Sequence, residues 1–386
     1  MEGKIAHIAF DEKFIDAAYR VFETAYPDKN VFFIVTQNRN FKYIKKAKGT
    51  AIHPMRLLGK KFVKSLNQYE MVFIHWMDEV QMQLLVLSSP SVKFIWLGWG
   101  GDYYDAFIYS RQEDMLLKKT ALLFNKLELQ SNRLTFDQIL KRAVKFFLFR
   151  PIDKKEAINR VDFFSPVLKE DYDLVKKSLP NFKARYLPWN YGTLEDDMIS
   201  GLESSEITGE NILIGNSATP ENNHLEGFDI LNKIDLDGRQ IICPLSYGNT
   251  AYGEFIKQAG EQSFGKSFVP LMKFMPAHEY YKLISSCSFV IMNHLRQQAM
   301  GNIITMMYLG ARIFMQKSNP AYLFLKEQGA VVFSIDEFQQ GSGILNRLKP
   351  SEIEINRAIL RAHWSRKAIH EKTKNLVETV NSFHRS

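Results

Sequence analysis

Cysteine is nearly missing from this chain: Cys243 and Cys287 are the only two in 386 residues. Two distant thiols supply neither a disulfide framework nor a cysteine-rich metal cluster, and a reducing cytoplasm is the expected setting. Long apolar runs are missing too. No uncharged stretch reaches the roughly 18 residues of a spanning helix. The opening "MEGKIAHIAFDEKF" has no basic region followed by an apolar run, so no signal peptide is expected. No G-x-G-x-x-G follows the first apolar segment, which disfavours a dinucleotide-dependent dehydrogenase. Internal repeats and low-complexity tracts are also lacking.

What is present has the balance of a soluble globular protein, 46% hydrophobic and 24% charged. The length suits two domains of similar size. The net charge is +8, and residues 118–160 carry eleven basic against four acidic residues, nearly the whole excess. Such a local patch points to an anionic surface rather than to a generally basic protein. Within it, "LKRAVKFFLFR" sets Lys141, Arg142, Lys145 and Arg150 around Phe146, Phe147 and Phe149. That mixture fits an interfacial helix on anionic lipid, or a helix with its Phe residues in the core and its charges solvated. Nucleic acid is disfavoured, because the stretch is short and no nucleic-acid fold motif accompanies it.

Short Val/Ile/Phe-rich runs, nearly continuous rather than alternating, read as strands buried on both faces: residues 4–10, 30–37, 71–76 and 92–99, then 211–217, 239–246, 288–294, 311–316 and 330–335. Helical patterns lie between them, for example 78–88, 224–234, 250–260, 277–286, 301–309 and 321–328, and a polar helix over about 350–382 closes the chain. This rhythm predicts an α/β protein of two Rossmann-like domains with parallel sheets, the boundary falling near 190–210. Ligands in such folds sit beyond the carboxyl ends of the strands, here in a cleft between the halves.

Several of those strand ends carry small or amide residues. Gly215, Asn216 and Ser217 end one, with Asn222, Asn223 and His224 close behind. Ser246, Tyr247 and Gly248 end another. Arg296, Gln297 and Gln298 with Gly301 and Asn302 follow a third, and Asn319 a fourth. Gly and Ser let backbone amides approach an anion, the helix after each loop turns its positive end there, and Arg296 suits bidentate phosphate binding. Each loop also reads as a plain cap or turn. "IDLDG" (234–238) contains Asp-x-Asp, a pattern of divalent-metal sites, but its place after a helix reads as a polar turn, and no metal is expected.

In the first half, "FIWLGWGGDYYD" (94–105) stops a hydrophobic strand on Gly100 and Gly101 and sets Asp102 at the tip. Asp102 has two readings. It caps a helix starting near Tyr103, or it is a carboxylate for proton abstraction or charge stabilisation. His75, at the end of "FIHW", is either a satisfied structural histidine or a second candidate base.

These blocks, "ILIGNSATPENNH" (212–224), "ICPLSYGNTAYGEFIKQAG" (242–260), "LRQQAMGN" (295–302), "GARIFMQKSNP" (310–320), "FIHW" (73–76) and the Trp-Gly-Gly-Asp segment, resemble glycosyltransferase family 56, the 4-α-L-fucosyltransferase family. The resemblance runs from about Met71 to Gly329. It implies a GT-B fold and a metal-independent glycosyltransferase without cofactor. The implied donor is a nucleoside-diphosphate sugar, in this family a dTDP-activated 4-amino/acetamido-6-deoxyhexose type. The implied acceptor is a polyprenyl-diphosphate-linked saccharide of surface polysaccharide, O-antigen or enterobacterial common antigen synthesis. The chain would work as a peripheral protein on the cytoplasmic face of the bacterial inner membrane.

On this reading residues 1–195 bind acceptor and include the basic membrane-facing segment of about 118–160. Residues 196–350 bind the sugar nucleotide, and 351–386 form a C-terminal helix packing back across the domains. Asp102 and His75 are the catalytic candidates. Trp99, Gly100, Gly101 and Tyr103 are acceptor-side candidates, with Gly100 and Gly101 leaving room for the sugar. The strand-end residues from Gly215 to Asn319 named above hold the donor. The chain departs from the family at "HEYYKLISSCSFVIMNHL" (278–295) and in its basic region, which leaves both sugars open. An inactive GT-B-like sugar- or nucleotide-binding module is the alternative.

Overall fold

Strand β1 (Ile5–Phe10) is buried along nearly its whole length, as a strand covered on both faces must be. The computed structural model describes residues 3–38, 40–109, 111–131, 152–340 and 344–384. Two compact units divide the chain. Met1–Ile108, Leu134–Asp197 and His363–Ser386 make the first, and Tyr109–Arg133 with Met198–Ala362 make the second.

The first unit holds β1, β2 (Asn30–Val35), β3 (Gly49–Ile52), β4 (Met71–His75), β5 (Phe94–Leu97), β6 (Phe163–Ser165) and β7 (Arg185–Tyr186). All pair in parallel, in the order β3-β2-β1-β4-β5-β6-β7. Parallel neighbours need crossovers, and helices supply several of them. Ile15–Ala25 buries Ile15, Ala17, Ala18, Val21 and Phe22 on one face. Glu79–Leu87 starts where the Asp78 side chain accepts from the backbone amides of Val80 and Gln81.

The second unit holds β8 (Asn211–Ile214), β9 (Ile241–Pro244), β10 (Phe268–Leu271), β11 (Cys287–Met292), β12 (Arg312–Met315) and β13 (Phe333–Ser334). They too are parallel, in the order β10-β9-β8-β11-β12-β13. Every residue of β11 is buried, and one face of the sheet packs Ile212, Ile214, Phe289, Ile291 and Phe314 against Phe228, Tyr252 and Ile256.

The nine anticipated strands form, mostly trimmed at the ends. Four short strands, β3, β6, β7 and β10, carry no periodic signal and were not anticipated. β3, β7 and β10 lie at sheet edges, and β10 holds Pro270, which an edge strand tolerates. The polar C-terminal helix is two helices, Pro350–Trp364 and Arg366–Ser382, parted where the Ser365 hydroxyl accepts from the Ala368 amide. Residues 109–133 group with the second unit and His363–Ser386 with the first, so the partition departs from a single boundary near 195.

The basic region is therefore shared. In the second unit Lys119 pairs with Asp229. In the first, Arg160 donates to the carbonyls of Ser88 and Ser89. Lys141, Arg142, Lys145, Phe146, Phe147, Phe149 and Arg150 lie outside the described residues.

Candidate active site

In both sheets strand order reverses direction at one point, and loops leaving the carboxyl ends there diverge and open a crevice. In the second unit the switch lies between β8 and β11. The loops after them, with the first turn of the helix Met300–Leu309, hold Gly215-Asn216-Ser217 and Asn293–Asn302, most of the donor candidates.

Asn222 organises this place. Its Oδ1 accepts from the Asn216 amide at 2.8 Å and from His294 Nε2 at 2.9 Å. Its Nδ2 donates to the carbonyl and hydroxyl oxygens of Ser217 and Thr219. With its donors so placed, Oδ1 must receive a proton from His294 Nε2. Burial holds His294 and His224 at a pKa of about 3, so both rings are neutral and add no cation. Gly215 lies at φ +67, and a Cβ there would stand 2.6 Å from His224 Nε2 and 2.7 Å from Asn222 Oδ1, so only glycine fits.

The loops after β8 and β9 are zipped together. The Ala218 amide donates to the Tyr247 carbonyl at 2.7 Å, and the Asn249 amide to the Ala218 carbonyl at 2.9 Å. At Gly248, φ +113, a Cβ would sit 2.6 Å from the Ala218 oxygen. Asn216 Nδ2 donates to the Tyr247 hydroxyl, and Gln298 Nε2 bridges to Asn216 Oδ1 and Thr219 Oγ1. Asn319 donates to the carbonyls of His294 and Arg296 and accepts from the Ala321 amide. Asn302 donates to the Tyr280 hydroxyl.

The candidates thus separate by exposure. Ser217, Asn222, Gln297 and Asn319 are buried and shape the loops, while Ser246, Tyr247, Gly248, Arg296, Gln298, Gly301 and Asn302 keep exposed surface. Ala299 at φ +60 turns the chain into helix Met300–Leu309, leaving Gly301 in open space. Thr219, His294 and the Ala299 turn were missed in the sequence. Thr219 and His294 are single polar residues whose meaning comes from contacts far along the chain. "IDLDG" is an exposed turn in which Asp235 accepts from the Asp237 amide.

In the first unit the switch lies between β1 and β4. His75, fully buried at the end of β4, contacts His7 Nδ1 through Nε2 at 3.0 Å and the Tyr191 hydroxyl through Nδ1 at 2.7 Å. Burial keeps its pKa well below the usual imidazole value.

Asp102 is turned inward. Its Oδ2 accepts from Trp96 Nε1 at 2.7 Å and the Met77 amide at 3.1 Å, and its Oδ1 from the Trp99 amide at 2.8 Å. Burial raises its pKa to about 6, against the pull of these donors. It lies inside the helical turn Gly101–Tyr103, whose cap position is Gly100 at φ +107, so the simple cap reading needs correction. Asp102 is a strut joining the ends of β4 and β5.

The two glycines also have a local explanation. Gly100 adopts a backbone angle closed to other residues. At Gly101 a Cβ would stand 2.9 Å from the Trp76 ring, so the room it leaves is taken by Trp76 rather than by a sugar. Tyr103 is fully buried with its hydroxyl on Asp171, a packing position and not a surface for an acceptor. Trp99 keeps a partly exposed ring.

Comparison with known proteins agrees with this frame. HepE of Anabaena, solved with UDP and glucose, is 12% identical and superimposes with a TM-score of 0.61 over 98% of this chain and 99% of its own. Sucrose-phosphate synthase of Thermosynechococcus elongatus is 10% identical with a TM-score of 0.62, covering 98% and 99%. The lipopolysaccharide outer core galactosyltransferase WaaB is 12% identical with a TM-score of 0.59, covering 97% and 99%. At these identities the likeness gives the fold, which is of GT-B type. The family model described as 4-alpha-L-fucosyltransferase glycosyl transferase group 56 matches residues 140–355. Those residues include the whole Gly215–Asn319 constellation, while His75 and Asp102 lie before them. The match spans more than half of the chain, which therefore belongs to glycosyltransferase group 56 and is a glycosyltransferase of GT-B fold.

Proposed function

We propose that this transferase moves a 4-amino/acetamido-6-deoxyhexose-type sugar from a dTDP donor to a polyprenyl-diphosphate-linked saccharide during surface polysaccharide synthesis. The observation that carries the donor half is the loop pair at the β8/β11 switch. Asn222 holds the Asn216 backbone in place, Gly215 and Gly248 keep side chains out, and partly exposed Arg296 stands on the facing loop. A guanidinium beyond the ends of parallel strands suits a diphosphate, and the Arg296 charge would stabilise it as it leaves. A structure of like fold, HepE, was solved with UDP and glucose, which supports a nucleoside diphosphate as donor.

The acceptor half rests on the family and on the basic, Phe-rich stretch, which we assign to the anionic inner-membrane surface. Among the described residues no helix is long and apolar enough to cross a membrane. The test uses cells lacking this chain. Their polyprenyl-diphosphate saccharides should end one sugar short, and the purified protein with a dTDP-4-acetamido-4,6-dideoxyhexose should extend that extract by one deoxyhexose mass. An unchanged lipid-linked pool would refute the acceptor assignment.

A further inference from the structure

A histidine in the middle of an apolar strand is a costly choice, and β1 has one. His7 is fully buried, stacked on Phe32 with centroids 4.1 Å apart and on Phe73 at 5.1 Å. Apolar residues would fill this place at lower cost, so a buried polar chain here calls for a reason.

The protons of the chain can be placed one at a time. Asn30 Nδ2 donates to Glu23 Oε1 and to the Tyr26 carbonyl, each at 2.8 Å, so Asn30 Oδ1 is the atom facing His7 Nε2 at 3.2 Å. His7 Nε2 therefore carries a proton. Burial holds His7 neutral, with a pKa of about 3, so its Nδ1 is an acceptor. His75 Nε2 must then donate to it at 3.0 Å. His75 is neutral as well, so its Nδ1 accepts from the Tyr191 hydroxyl at 2.7 Å. Every link points inward and ends on Tyr191, whose proton is committed; the Trp99 indole N–H also donates towards its oxygen, which leaves one lone pair to accept.

Tyr191 is partly exposed: the buried Trp189 ring packs on it at 4.7 Å, and the partly exposed rings of Trp99, Phe14 and Trp76 lie on its outer side. Trp99 lies at 5.4 Å and Phe14, which is 43% exposed, at 6.1 Å, while Trp76 meets Trp99 edge-on at 5.6 Å. These side chains come from loops beyond the carboxyl ends of β1, β4, β5 and β7, where Phe14 and Trp76 flank the switch point. Aromatic faces take the apolar C–H faces of pyranose rings, and a hydroxyl-rich ligand offers donors to a fixed lone pair.

We propose that Tyr191 is an acceptor-contacting residue of the first unit: its oxygen, oriented by the buried Asn30–His7–His75 chain, accepts a hydrogen bond from a saccharide hydroxyl beside the Trp99 and Phe14 rings. His7 and His75 are positioning residues that act through Tyr191. The proposal rests on the transferase reading above.

The test measures the half-saturating concentration of lipid-linked saccharide, extracted from cells lacking this chain, together with dTDP affinity. Tyr191→Phe should raise the first roughly three- to tenfold, the loss of one hydrogen bond, and leave the second unchanged. His75→Asn, whose Oδ1 falls near the Nδ1 position, should keep near-normal saturation. His75→Gln, which reaches only towards His7, should behave like Tyr191→Phe. ¹⁵N spectra should show His7 and His75 as neutral Nε2–H tautomers, with His75 Nδ1 shifting in Tyr191→Phe. Saturation within twofold of wild type in Tyr191→Phe with dTDP binding intact overturns the proposal, as does the opposite tautomer. Absence of dTDP binding in the wild type would instead refute the proposed dTDP donor.

Discussion

Asp102 is the residue at which chemistry and architecture are easiest to confuse. A carboxylate at a strand end invites a catalytic role, yet its oxygens accept from Trp96, Met77 and Trp99 within the same unit. Its pKa is raised from 3.8 to about 6 by burial. A raised carboxyl favours the folded state below the unfolded value, and that contribution is lost as pH climbs through the folded value. Asparagine mimics the protonated acid. The stability of wild type relative to Asp102→Asn should therefore fall by about 2.4 kcal/mol between pH 4 and pH 7, the part of the total, near 1.4 kcal/mol for each pKa unit, that falls in that window. Denaturant melts across that range check it, and a pH-independent gap would contradict the burial argument. Turnover in Asp102→Asn should stay within about tenfold of wild type, because a lost catalytic carboxylate costs roughly 10²–10⁴.

At the scale of elements, the second unit's site is built from loops locked by buried amides. Gly215 is the most sensitive point, since a methyl group there meets the fixed atoms of Asn222 and His224. Gly215→Ala should destabilise the protein by about 1–3 kcal/mol and weaken dTDP binding at least tenfold. Gly238→Ala is the control. Its φ of +74 is similarly strained, but nothing lies within 4 Å of the added Cβ, so stability should drop while dTDP affinity holds. Equal affinity in both variants, read by calorimetry, would contradict a donor role for this loop. The loop was legible in the sequence because Gly-Asn-Ser directly follows an apolar run. His294 was not, because it acts through Asn222, 72 residues away, and Asn319, legible only as a donor contact, instead holds the carbonyls of His294 and Arg296.

Across the whole molecule, the two parallel sheets were legible because their central strands are continuous apolar runs, β4 and β11 above all. Three of the edge strands, β3, β7 and β10, were not, being two to four residues long with no pattern to read. The Gly100–Gly101 pair was recognised as a close approach, but the approaching group is Trp76 of the same unit, a contact that spacing does not encode. His7 was passed over because its strand reads as apolar with or without it, and its function lies in a chain of bonds reaching to Tyr191, 184 residues on. Membership of group 56 makes the chain a transferase, and its proposed donor contacts lie in the second unit, with Arg296 among them.

Titration of the purified protein with dTDP, followed by its unfolding temperature, tests that claim most directly. A ligand that binds only the folded state at a hundred times its dissociation constant adds about 2.7 kcal/mol. The wild type should rise accordingly, and Arg296→Ala should lose roughly 1.5–3 kcal/mol of binding free energy with its fold intact. A wild-type protein whose unfolding is unmoved by dTDP, UDP or any other nucleoside diphosphate would contradict the account.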